Sequence, residues 1–130
     1  MTRLRMVAAV LVAVAVLGGC GNGSDTSRPT GHVRGTALTG PTCPVEQNPP
    51  DPACADRAVV GAAQFRQDGR VVTTAVINPA GEFTADLKVG SYEIIIDGGA
   101  NMFPVCQPAT VVVTQGATAS VKISCDTGIR

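Results

Sequence analysis

The chain has 130 residues, ten Lys/Arg against ten Asp/Glu and one histidine, which suits one domain with a short tether and no formal net charge. Beyond Gly19 the balance is eight basic to ten acidic side chains with no basic run, so nucleic acid and anionic headgroups are poor partners for the folded part. With no Trp, one Tyr and three Phe, a core has little aromatic mass to draw on.

Arg3 and Arg5 precede an uninterrupted apolar run from Val7 to Leu17. This is the layout of a secretory signal, and the run falls short of the about 20 residues a transmembrane helix needs. Leu17-Gly18-Gly19-Cys20 closes the run as the lipobox of a bacterial lipoprotein. The expectation is a signal peptide over 1–19 that is removed and a lipid on Cys20. That lipid holds the chain on the extracytoplasmic face of the cell membrane. Acyl chains contribute about 0.8 kcal/mol per buried methylene, so two or three on one residue anchor without a protein helix.

Residues 20–30 then read as the lipidated cysteine and a flexible tether, since Gly21 to Thr30 contains nothing to bury. The remaining residues, 31–130, form the domain. Cys43, Cys54, Cys106 and Cys125 are left as an even set, which in an oxidising compartment implies two disulfides. No Cys-x-x-Cys exists to suit zinc or a low-pKa thiol, and no metal or cofactor is expected.

His32 to Leu38 alternates as a first strand with Val33 and Ala37 on one face. Thr39 to Ala55 carries five prolines and two cysteines, which predicts a long loop. Ala58 to Arg66 and Arg70 to Asn78 are predicted to pair as a hairpin around Asp68-Gly69. A turn at Asn78 to Gly81 leads into Glu82 to Leu87, whose dry face is Phe83, Ala85 and Leu87. Val89-Gly90 turns the chain into Ser91 to Asp97, with Tyr92, Ile94 and Ile96 inward. Met102 and Phe103, in the following loop, are expected to fold back over the core.

The last two runs, Ala109 to Thr114 and Ala117 to Cys125, flank Gln115-Gly116. A hairpin there sets Val112 opposite Ala119 and Cys106 opposite Cys125. It places Val112, Val121, Ile123 and both cysteines on one face. This register selects the Cys106–Cys125 bridge, and Cys43–Cys54 follows by elimination and proximity, although four cysteines allow three pairings. Seven short extended runs with Gly and Pro turns predict an all-β, seven-stranded antiparallel β-sandwich.

Gly81, Glu82, Phe83, Leu87, Gly90 and Tyr92, with the opening Gly31-His32-Val33-Arg34-Gly35, resemble the pattern of carboxypeptidase regulatory-like domains. The resemblance implies a transthyretin-like (prealbumin-like) sandwich that serves as an accessory module. The stretches Gly40 to Pro44 and Cys125 to Arg130 also look like those of a group of small exported bacterial proteins without an established activity.

Nucleophilic catalysis needs a base beside Ser, Thr or Cys, and the sole candidate, His32, reads as a solvated strand-edge residue. Asp51, Asp56 and Asp126, or Asp97 with Asn101, could offer carboxylates to calcium but read more simply as turn formers. Two function classes follow. The first is a non-enzymatic interaction or structural module of the envelope, with a protein or polysaccharide partner. The alternative is a ligand or calcium binder that uses the 39–55 loop and the tail from Asp126 to Arg130.

Overall fold

A computed structural model of the chain describes residues 28–98 and 104–130. The signal segment, Cys20 and most of the expected tether lie outside the described residues, as do Asn101, Met102 and Phe103. Among the described residues nine strands are formed: β1 (Thr30–Gly40), β2 (Arg57–Ala58), β3 (Ala62–Gln67), β4 (Arg70–Val76), β5 (Glu82–Lys88), β6 (Gly90–Asp97), β7 (Val105–Cys106), β8 (Ala109–Val113) and β9 (Thr118–Asp126). β2, β5 and β9 flank β1 in one sheet, with β7 beside β9; the other sheet runs in the order β4-β3-β6-β8. The expected seven strands are the seven longer ones, and β2 and β7 are two-residue additions.

Strand alternation decides what is buried between the sheets. Val33, Ala37, Phe83, Leu87 and Ile123 face inward from the first sheet, and Ala63, Phe65, Tyr92, Ile94, Val111 and Val113 from the second. Each large apolar side chain so buried stabilises by about 1.5 to 3 kcal/mol before chain entropy is set against it. Phe65 and Phe83 meet edge to face across the gap with centroids 6.0 Å apart. Tyr92 is buried with them and donates its hydroxyl to the Lys88 carbonyl at 2.8 Å.

Several expectations need correction. The sandwich is not wholly antiparallel, because β1 and β9 run parallel from His32↔Thr118 to Gly40↔Asp126. The run from Ala58 to Arg66 is not one strand. Ala58 pairs with Leu38 in the first sheet, Val59 donates to the Ala37 carbonyl, and the chain crosses at Gly61 to begin β3 in the second. Gly61 sits at φ +141°, where a Cβ would also overlap the Asp97 carbonyl, so the crossing is made where only glycine fits. The hairpin at Asp68-Gly69 does form, with φ of 52° and 75° at those two residues.

The predicted pairing of the last two runs is also overturned. β8 pairs with β6, as in Tyr92↔Val111 and Gly90↔Val113, and Gln115-Gly116 connects the two sheets instead of two neighbours in one. Val112 therefore faces solvent and Val111 and Val113 face the core. The physical reason is that this arrangement buries two valines where the hairpin would have buried one. Cys106 still lies opposite Cys125, because β7 pairs with β9 before Pro108, which has no N–H for a ladder, lets the chain leave for the other sheet. At the start of the described residues, Thr30 already opens β1 and the Pro29 carbonyl accepts from the Val89 amide at 2.9 Å.

Candidate functional site

β1 is the axis of the molecule. Its 11 residues span about 33 Å, at about 3.3 Å per residue. At its first residue it meets Lys88 and Gly116, with Val89 bonded to Pro29 just before it, and at its last residues it meets Arg57, Asp126 and Thr127. The long proline-rich loop springs from that second end.

The loop is held by its own bonds. Cys43 and Cys54 are bridged with Cα atoms 5.3 Å apart, and the Thr42 hydroxyl donates to the Ala55 carbonyl at 3.2 Å. Prolines prevent regular structure over most of it, and the one helical piece is a single turn at Pro52–Cys54. Asp51 caps that turn by accepting from the Ala53 amide at 2.9 Å. Glu46, Gln47, Pro50, Asp51, Pro52 and Ala55 line an open groove of about 500 Å³.

The tail joins the loop at its root. Thr127 donates its amide to the Gly40 carbonyl at 3.2 Å and its hydroxyl to the Pro41 carbonyl at 2.5 Å. Arg130 turns back onto Asp126 with two hydrogen bonds, of 3.2 and 2.8 Å, and the Gly128 amide adds a third at 2.8 Å. The hydrogen bonds from Arg130 and then from Gly128 hold the Asp126 carboxyl down at about 2, and the same pairing raises Arg130. The structure thus brings together the root of the loop and the tail. It does not gather their carboxylates: Asp51 is engaged as a cap, Asp126 by Arg130, and among the described residues no three His, Cys, Asp or Glu side chains converge as a metal site.

The other predicted residues lie elsewhere. Cys106 and Cys125 are bridged inside the β7–β9 pair, with Cα atoms 4.0 Å apart. Asp97 accepts from Gln64 at 3.3 Å on the outer face of the second sheet. His32 is not at a sheet edge, since β5 and β9 flank it, and its Nδ1 lies 2.7 Å from Asp86 Oδ1. Thr118 is its partner on the other side, so a carboxylate, an imidazole and a hydroxyl share one cross-strand row. Sequence reasoning missed that row, because it depends on the parallel pairing of β1 with β9. No hydrogen bond links His32 to Thr118 among the described residues, and the row lies on an open sheet face, so the nucleophile and base contact that such chemistry requires is not formed.

No protein-family model matches the chain, and no curated protein matches it in sequence. Among solved structures, the minor pilin GBS52 of Streptococcus agalactiae is similar over 77% of this chain and 45% of its own, at 12% identity and a TM-score of 0.50. A DUF3823 family protein of Parabacteroides merdae is similar over 77% of this chain and 47% of its own, at 17% identity and a TM-score of 0.49. A second DUF3823 family protein, from Bacteroides ovatus, is similar over 73% and 44% respectively, at 16% identity and a TM-score of 0.46. The chain spans less than half the length of each of these structures. At such identities the likeness concerns the fold, which is an all-β sandwich.

Proposed function

We propose that this chain is an envelope lipoprotein, anchored through Cys20, whose sandwich is a non-enzymatic module that presents its proline-rich loop to a protein or polysaccharide partner. The observation that carries the reading is the placement of the two ends of β1. Residue 28, from which the chain leads back in sequence to Cys20, is at one end, and the bridged loop with the tail is about 33 Å away at the other. A lipid at Cys20 would therefore leave the loop facing outward. The bridge adds to this, because a loop already ordered loses less entropy when a partner docks.

The anchor is tested by fractionation: the parent chain is expected with membranes, and Cys20→Ser is expected in the soluble fraction. A Cys20→Ser chain that still partitions wholly with the membrane would remove the anchor from the reading. The loop is tested by cross-linking on intact cells, where loss of the same cross-linked species on deleting residues 44–53 supports it. Retention of every species would point to another surface. The ligand-binding alternative has the groove beside Glu46 and Asp51 in its favour, and calorimetry of the chain with calcium and with envelope polysaccharides separates the two.

A further inference from the structure

β4 closes the second sheet on one side, and among the described residues it pairs with β3 alone. The long outer strand of the first sheet, β5, carries Glu82, Asp86 and Lys88, and β8, on the far side of the second, is short and follows Pro108 directly. Charge, shortness and proline are the usual protections of a sheet edge. β4 has none of them from Val71 to Val76, where every residue is apolar or threonine. Its one irregularity lies toward the hairpin, where the register shifts between Phe65 and Arg66, and the pairing is regular from Thr73 to Val76.

The open side of β4 is complementary to itself. The Ile77 amide donates to the Gly61 carbonyl at 3.0 Å, so by the two-residue alternation of an antiparallel pair Ala75 and Thr73 also turn their main-chain groups to β3. Thr74 and Val76 turn theirs to the open side. The stretch Val72-Thr73-Thr74-Ala75-Val76 reads nearly the same in both directions about Thr74. A two-fold axis there sets Thr74 against Thr74, exposed Val72 against exposed Val76, and half-buried Thr73 against half-buried Ala75, so both faces of the sheet continue across the axis. Carried on, the same register brings Arg70, the one charged residue of β4, to Asn78 of the other copy, whose amide lies 3.4 Å from the Glu82 carboxylate. Asp68 is at the hairpin tip, past the end of this pairing.

From this complementarity we infer that β4 is a homodimer interface. Two copies of the chain pair antiparallel through β4 about an axis at Thr74, their second sheets join into one continuous sheet, and Arg70 of each copy meets Glu82 of the other. A two-fold axis makes every such contact occur twice. An unrelated strand would satisfy the open main-chain groups equally well. Only a second copy repeats the match of valine with valine and of arginine with glutamate at both ends of the pairing, and that match selects the occupant.

Thr74→Cys in the full chain tests this, because it places two thiols on the axis with Cα atoms about 5.5 Å apart, a separation that a disulfide spans. Oxidation in intact cells, read by non-reducing electrophoresis and mass spectrometry, is expected to give a disulfide-linked homodimer in about tenfold excess over the parent chain and over Val112→Cys, which is exposed on the far edge of the same sheet. Val76→Pro in the Thr74→Cys chain removes an amide that only the other copy uses, on an edge where proline is tolerated, and should lower the yield about tenfold. Arg70→Glu should also lower it, and Arg70→Glu with Glu82→Arg should restore it, which a variant that merely fails to fold cannot do. A yield at position 74 no greater than at position 112, or one that neither Val76→Pro nor Arg70→Glu changes, would overturn the pairing. Cross-linking of position 74 to a different polypeptide would give the edge to a partner's strand and overturn the second copy as its occupant.

Discussion

Gly35 and Phe83 show how closely β1 and the edge strand β5 of the first sheet are fitted. They are cross-strand partners, and a Cβ at position 35 would overlap the Phe83 ring, which is buried against Phe65. Gly35→Ala should destabilise the domain by about 1 to 3 kcal/mol through overpacking, and Phe83→Leu in the same chain should recover part of that loss. Urea denaturation of the two single variants and the double one measures the coupling, and strict additivity would show that the ring is not what excludes the side chain. At the other end of β1, Asp126 has a carboxyl held at about 2 against an ordinary 3.8. A folded value below the unfolded one means that the pairing with Arg130 adds stability above about pH 4 and that this is lost as the pH falls toward 2. Carboxyl chemical shifts should follow that titration, and Arg130→Ala should move it back toward the ordinary value. Phe83 was readable as a core residue from its alternation with Glu82 and Thr84. Its fit to Gly35 was not, because strand pairing brings the two together and no local pattern records it.

Among the strands, β7, β8 and β9 show a correct register serving a different topology. The cysteine positions pick out the Cys106–Cys125 pairing that β7 and β9 make, and Pro108 then diverts the chain to the second sheet. Val112→Lys should change stability by no more than about 0.5 kcal/mol, as for an ordinary surface site, whereas Val113→Lys would bury an unpaired charge and should prevent folding. Equal tolerance at both positions would contradict the assignment of β8 to the second sheet. Replacing Cys106 and Cys125 by alanine should cost about 3 kcal/mol on the chain-entropy estimate for a bridge spanning 19 positions, read as a fall in the denaturation midpoint. Hydrophobic alternation reports that a strand has a dry face. It is silent on which of two sheets the strand joins, and β8 and the start of β3 were both misjudged for that reason.

At the scale of the whole molecule, the sandwich is complete without the loop. Residues 44–53 are all exposed, so none of them contributes to the core between the sheets. Deleting them, with Cys43→Ser and Cys54→Ser, should leave a cooperatively unfolding domain with a near-parent thermal midpoint; loss of the cooperative transition would mean that the loop holds β1 and β2 together. The sequence by itself determined the strand-rich character, the turn at Asp68-Gly69, the dry face of β5 and the cysteines left to bridge, since each is set by neighbours a few positions apart. Only the tertiary structure decided that β1 runs parallel to β9, that His32 stands between Asp86 and Thr118, and that the tail meets the root of the bridged loop. Those features depend on the direction in which distant strands cross the molecule. That direction is set by the joint burial of both sheets, a balance over the whole core that no local stretch of residues contains.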